Sequence, residues 1–343
     1  GIGLLVGGLS IPILALISLG DGSLFTGISI LGNDNPEYLK VLTQKNFEGK
    51  AVTVPWPTLL TGMMFIQIFY WSTNQVIVQR AMAAKSLAEG QKGVLFASAM
   101  KLVGPIMLCL PGIIALHMPD LIIDKQDQVY GAVVRHVLPD WSLGLFAAVL
   151  MGSILSSFNS ALNSASTLFS LQFYKGYINK NANDSEIVAT GRKFGIALAL
   201  AAIIIAPLLS QLDSIFQYLQ KVNGIYSVPI IAIFLLGILT KHIPAIGAKI
   251  GMAVGFISYA YFVFFPIENF HWLHMYFISF TWSIMVMLLI GYLKPKTEEE
   301  IKESDKRDPA PVDMTPWVKA KEASLAIVCA TVAIYLFLSW ASL

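Results

Sequence analysis

Lys101 lies between Met100 and Leu102 inside the apolar run 93–116, whereas the other 22 of the 23 Lys and Arg residues fall in polar connections or at helix edges. Every Asp and Glu does the same. Counted into a helix of ~24 residues, Lys101 is about eight residues, or ~12 Å, from the nearer end. That is too deep for its ammonium to reach the interface comfortably. A group placed this way either lines a path or contacts a solute, or is a paired or neutral structural lysine.

A second cluster of polar residues occupies an apolar run further on. Between 153 and 167 the sequence holds Ser153, Ser156, Ser157, Asn159, Ser160, Asn163, Ser164, Ser166 and Thr167. At ~100° per residue, Ser153, Ser156, Ser157, Ser160, Ser164 and Thr167 share an arc of about 100°, with Asn159, Asn163, Ser166 and Ser170 beside it. Ile154, Leu155, Phe158 and Leu162 fill the other side. Small hydroxyl residues pack membrane helices closely, and this is one reading. The other is cation binding. A hard monovalent cation needs several neutral oxygens, and the adjacent pair Ser156-Ser157 offers them without a carboxylate, as half-helix ends do in transporters.

The run Gln67-Ile68-Phe69-Tyr70-Trp71-Ser72-Thr73-Asn74-Gln75 mixes amides, hydroxyls and aromatic rings where a lipid-facing helix has only apolar residues. Aromatic faces stack on ring-shaped solutes while amides and hydroxyls bond their rims, which suits a neutral polyhydroxylated ligand. Tyr and Trp also mark membrane interfaces. Near Phe216-Gln217-Tyr218-Leu219-Gln220, the sequence Asn223-Gly224 and then Pro229 predict a broken helix that would offer Gln220 to a solute. A plain turn capped by Asn223-Gly224 is the alternative.

The elements that carry these residues must be membrane helices. The chain is 56% hydrophobic and 13% charged, with a mean hydropathy of +0.68, against about 25% charged residues in soluble domains. In lipid the backbone must satisfy itself, and apolar runs of ~20 residues select helices over the shorter strands of a barrel. Nine helices are expected, at roughly 1–19, 56–79, 93–116, 142–174, 192–212, 222–240, 244–266, 270–293 and 318–341.

Sixteen basic residues fall in one set of alternate connections and six in the other, which places 80–92, 175–193, 241–249 and 294–321 in the cytoplasm and the C-terminus outside. The segment 294–316 has the mixed charge of a solvated linker, and Val129–Leu138 that of an amphipathic surface helix. Cys109 and Cys329 lie in apolar runs as packing residues. The five histidines, at helix edges and in loops, lack metal-ligand spacing. The net charge of +2 does not suggest nucleic acid as a partner. The opening Gly1-Ile2-Gly3, without Met or a charged flank, reads as a start inside a helix, hence as an N-terminally truncated fragment.

The run Phe69-Tyr70-Trp71-Ser72-Thr73-Asn74-Gln75-Val76-Ile77-Val78-Gln79-Arg80 resembles the sodium/solute symporter family, and within it the sodium/sugar (glucose/galactose) cotransporters. Ala84-Lys85, Lys101-Leu102, Ser156-Ser157, Asn163-Ser164-Ala165-Ser166-Thr167-Leu168-Phe169 and Tyr218-Leu219-Gln220 extend the resemblance over essentially the whole chain. It implies an all-α polytopic plasma-membrane transporter built on two inverted five-helix repeats. In that scheme 1–19 ends the first repeat, 56–240 is the second, and 244–343 are accessory helices with the cytoplasmic linker 294–316. By the same resemblance, sugar contacts come from Gln67, Lys101 and Gln220, and Tyr70 is the cytoplasmic-side gate. Trp71, Asn74 and Asn159 support the site or line the path. Sodium is bound at Ser153, Ser156 and Ser157 with carbonyls from a helix of the absent repeat, so the missing helices complete both sites. Gln67 stands where some relatives have Asn, and Ser153 where many have Ala.

The expected function is sodium-coupled sugar symport by alternating access, with Na+ as the coupling ion. The alternatives are symport of inositol, a nucleoside or an amino acid, and a sugar-binding membrane sensor. A hydrolase using Ser153 or Ser156 with Lys101 would need a base beside the serine, and the sequence places none there.

Overall fold

In the computed structural model, residues 1–34, 39, 54–121, 123, 125–209, 211, 212, 214–265, 267, 270–305 and 312–341 are described. Lys40, Lys45, Lys50, Lys306 and Arg307, which enter the topology count, lie outside them. The helices are α1 Ile2–Leu19, α2 Leu24–Asn33, α3 Met64–Ser72, α4 Gln75–Met82, α5 Leu87–Leu108, α6 Leu110–Ala115 and α7 Val129–Val137. They continue with α8 Asp140–Leu168, α9 Asp184–Leu209, α10 Ile215–Leu239, α11 Ala245–Phe264, α12 Met275–Leu293, α13 Glu298–Asp305 and α14 Ala320–Ala341. Wider π turns precede α3, at Leu59–Met63, and follow α8, at Phe169–Ile178.

Among the described residues, eight helices are long and apolar enough to span a bilayer, and they match eight of the nine expected spans. The ninth, 56–79, is not one helix. Its α-helical hydrogen bonding stops at Ser72, Thr73 leaves helical geometry at φ −131°, and Asn74 turns extended. The Asn74 side chain then accepts a hydrogen bond from the Val76 N–H at 2.9 Å and caps α4. The break expected near Asn223-Gly224 is absent, since α10 runs unbroken through both residues and through Pro229. Here glycine serves packing: a Cβ on Gly224 would sit 2.1 Å from Tyr276 Cε1, and Asn223 accepts from the Tyr226 hydroxyl at 2.7 Å.

The chain forms two compact units, one of residues 1–40, 96–215 and 325–343, the other of 41–95 and 216–324. In the first, α1 turns back through Asp21 and Gly22, both at positive φ, into α2. Gly27 lets the two helices touch, since a Cβ there would meet the Leu16 carbonyl oxygen at 2.0 Å. Ile11, Ala15, Leu31, Ile114, Met118, Val133 and Val134 form this unit's core. Val133 and Val134 belong to α7, the short amphipathic helix expected at 129–138, and Arg135 and His136 close its last turn. Cys109, in the turn between α5 and α6, and Cys329, on α14, are exposed free thiols.

In the second unit α11 and α12 pack along small residues spaced by four. A Cβ on Gly251 would lie 2.3 Å from Met287, and one on Gly255 would lie 2.1 Å from the Ser283 hydroxyl. Ser279 donates to the Gly255 carbonyl at 2.7 Å. The segment 294–316 is not simply a linker. Thr297 and Glu300 exchange hydrogen bonds in a capping box that starts α13. Further on, the Leu87 N–H donates to the Asp313 carbonyl at 2.9 Å, and the Trp317 N–H to Gln91 Oε1 at 2.7 Å, tying 313–317 to the start of α5.

Candidate solute and sodium sites

The amides of the second unit converge on one face of α3. Gln220 Nε2 donates to Met63 Sδ at 3.8 Å, a weak bond that nonetheless aims the amide at the end of the π turn. Met63, Gln67 and Tyr70 are spaced i, i+4 and i+7 and therefore form one stripe. Gln67 is exposed on it, and the partly exposed Tyr70 meets the Trp71 ring edge-on at 5.7 Å. Phe69, one residue off the stripe, packs edge-to-face on Tyr226 of α10 at 5.7 Å. An amide from each of two helices with aromatic rings alongside is the composition that a neutral, hydroxyl-rich solute requires. Asn74, expected along the path, has the capping bond described above.

The π turn is held from the other side. Gly62 allows close approach to Leu273, where a Cβ would be 2.6 Å from the carbonyl oxygen, and Thr61 Oγ1 bonds His274 Nδ1 at 2.6 Å. Lys221 lies over the Trp272 ring at 5.8 Å. His271 and His274 thus stand at the edge of α12, where a helix-edge position was expected, and His274 makes a bond across to the π turn. Burial pushes the His271 imidazole below its ordinary value, and the nearby His274 and Lys221 charges add to the shift.

In the first unit, Lys101 is exposed at the midpoint of the candidate span Leu87–Ala115. Because α5 begins at Leu87, about six residues before the expected start, Lys101 is ~21 Å from that end and not ~12 Å. On α8, Ser160, Ser164 and Thr167 donate their hydroxyls to the carbonyls of Ser156, Ser160 and Asn163 at 2.8–2.9 Å. Among the described residues, Ser153, Ser156 and Ser157 make no such bond. The helix is regular through these residues, so it can contribute their hydroxyls but no unwound carbonyls. Asn159 lines a groove of about 790 Å³ between α8 and α9 with Asn163, Ser166 and Ser170.

The residues missed from sequence are Met63, Tyr226 and Tyr276. Tyr276 donates to the Gln220 carbonyl at 2.6 Å across 56 positions of sequence.

Residues 1–255 match the sodium:solute symporter family. The chain belongs to the sodium:solute symporter family. Relatives within it include the uncharacterised symporter YidK of Escherichia coli, 40% identical over 98% of this chain and 57% of YidK. The sodium/glucose cotransporter of Vibrio parahaemolyticus is 35% identical over 70% of this chain and 45% of its own length. The sodium/myo-inositol cotransporter 2 of Rattus norvegicus is 31% identical over 60% of this chain and 33% of its own. The chain therefore spans about half the length of the curated relatives it matches. Sodium:solute symporters are polytopic membrane transporters, which sets the hydrolase reading aside.

Proposed function

We propose that this chain is part of a sodium-coupled symporter for a hexose or a similar polyol, working by alternating access. The observation that carries the reading is the pair of amides, Gln67 exposed and Gln220 aimed at the same stripe of α3, with Tyr70 at the end of that stripe. Similarity to both glucose and myo-inositol cotransporters supports a neutral polyhydroxylated solute. In this proposal Gln67, Gln220 and Lys101 bond solute hydroxyls, and Tyr70 gates access. Trp71 and Asn159 line the path, and Ser153, Ser156 and Ser157 give sodium its oxygens. Sodium binding favours the solute-ready state, so coupling is differential affinity between two states. The second reading, symport of an amino acid, rests on Lys101, whose ammonium would attract a carboxylate.

The test is uptake of labelled glucose, galactose and myo-inositol into proteoliposomes carrying the complete gene product, with and without an inward sodium gradient. Sodium-driven uptake that weakens in Lys101→Ala and in Ser157→Ala supports the proposal. Binding without accumulation points to a sensor. Indifference to all three solutes ends the sugar reading and moves the search to amino acids.

A further inference from the structure

We infer that Tyr276 of α12 is a positioning residue for solute recognition, acting through Gln220. This rests on the reading that Gln220 contacts the solute.

The hydroxyl of Tyr276 donates to the backbone carbonyl of Gln220 at 2.6 Å. Within a helix that carbonyl has one lone pair engaged by the N–H four residues on, and the tyrosine takes the other. Tyr276 has no exposed surface. Its ring is confined by Tyr259 at 5.1 Å and Trp272 at 5.8 Å, within a buried cluster that includes Val228 and Leu273. Gly224, one turn beyond Gln220, makes room for it, since a Cβ there would lie 2.1 Å from Tyr276 Cε1 and 2.8 Å from Tyr259 Cζ. A hydroxyl, a glycine and two further rings thus bear on one backbone oxygen, the one belonging to the residue whose amide faces Met63.

That turn of α10 needs fixing. It starts only five residues after the helix begins at Ile215, and Phe216, Tyr218, Leu219 and Val222 around it are between 37% and 51% exposed. Rotation or fraying of these first turns would swing the Gln220 amide away from the Gln67 stripe. The Tyr276 bond fixes the carbonyl, and the Lys221 contact with Trp272 supports the next residue. A recognition group keeps its aim when its neighbours are locked in this way.

Tyr276→Phe keeps the ring and removes only the donor. It is expected to raise the sugar half-saturation about two- to tenfold, the range of one neutral hydrogen bond. Maximal uptake rate and sodium half-saturation should stay at wild-type values. Equilibrium binding of labelled sugar to the purified protein should show the same weakening. In a Gln220→Ala background the added Tyr276→Phe should change sugar binding no further, because its effect passes through Gln220. Tyr292→Phe, on the same helix and 84% exposed, is the control for tyrosine loss as such. An unchanged sugar half-saturation in Tyr276→Phe overturns the inference while wild-type uptake leaves the sugar reading standing. So does an undiminished effect in the Gln220→Ala background. A wild-type protein that neither binds nor takes up glucose, galactose or myo-inositol overturns the sugar reading and this inference with it.

Discussion

Hydroxyls on a membrane helix can bond their own backbone or face a ligand, and α8 divides the two uses between neighbouring turns. Ser160, Ser164 and Thr167 bond back to the preceding turn, while Ser156 and Ser157 do not. The helix formula of the sequence could not show this division, because both groups share one arc; only the observed side-chain directions separate them. Ser157→Ala is expected to raise the sodium concentration for half-maximal uptake roughly tenfold or more, on the scale of a contact to a charge, about 1.5–3 kcal/mol. Thr167→Ala, which removes a hydroxyl already bonded to Asn163, should leave it within about twofold. Uptake rate against sodium concentration distinguishes the two.

His271 carries a separate residue-scale expectation. Its Nδ1 accepts from the Leu273 N–H at 3.4 Å, a bond open only to the unprotonated nitrogen, and burial holds its proton affinity below the ordinary value. The unfolded chain then binds the extra proton more readily than the folded one, so stability rises with pH through the window below about 6.5 and falls as the medium is acidified. Thermal unfolding in detergent should start at a lower temperature at pH 5 than at pH 7.5. His271→Gln should narrow that difference, and an undiminished difference would place the acid sensitivity elsewhere.

At the scale of elements, apolar run length was a sound guide to which segments cross the membrane and a poor guide to where their backbones break. Run length reports burial in lipid, and eight of the expected spans are long apolar helices on that ground. A break is decided by a few residues and their partners. Asn74 could be seen as a polar residue in a polar run, but its capping role depends on the turn at Thr73. Asn223-Gly224 has the composition of a helix stop, yet Tyr276 and Tyr259, distant in sequence, fill the space that the glycine leaves. Asn74→Ala should therefore cost about 1 kcal/mol of local stability and speed amide exchange over Val76–Val78, while α10 exchange stays unchanged. Gly255→Val should be worse, because the Ser283 and Pro229 side chains already occupy the space of a Cβ and overpacking costs about 1–3 kcal/mol. Thermal unfolding of the two variants ranks them.

On the scale of the whole molecule, the distribution of charge argues for what moves. Acidic and basic residues keep to connections and to the first or last three turns of the membrane helices, with Lys101 the exception, and apart from Lys101 the candidate sites are built from amides, hydroxyls and rings. The amides and serines were legible in the sequence as polar residues at membrane depth. Their supports were not, because Met63 meets Gln220 across 157 positions and Tyr276 across 56. Under the proposed function, a polyol matched to neutral groups would cross without charge, and sodium would carry the only charge of each cycle. Transport should therefore be electrogenic. With sodium equal on both sides and an inside-negative potential clamped at about 60 mV, each co-transported sodium contributes about 1.4 kcal/mol, a factor of about ten in solute accumulation. Proteoliposomes clamped with potassium and valinomycin should accumulate sugar about tenfold for one sodium, and the power of ten counts the ions. Accumulation independent of the clamped potential would mean that the solute brings a compensating negative charge. That outcome would replace the polyol with a carboxylate-bearing solute and make Lys101 its first contact.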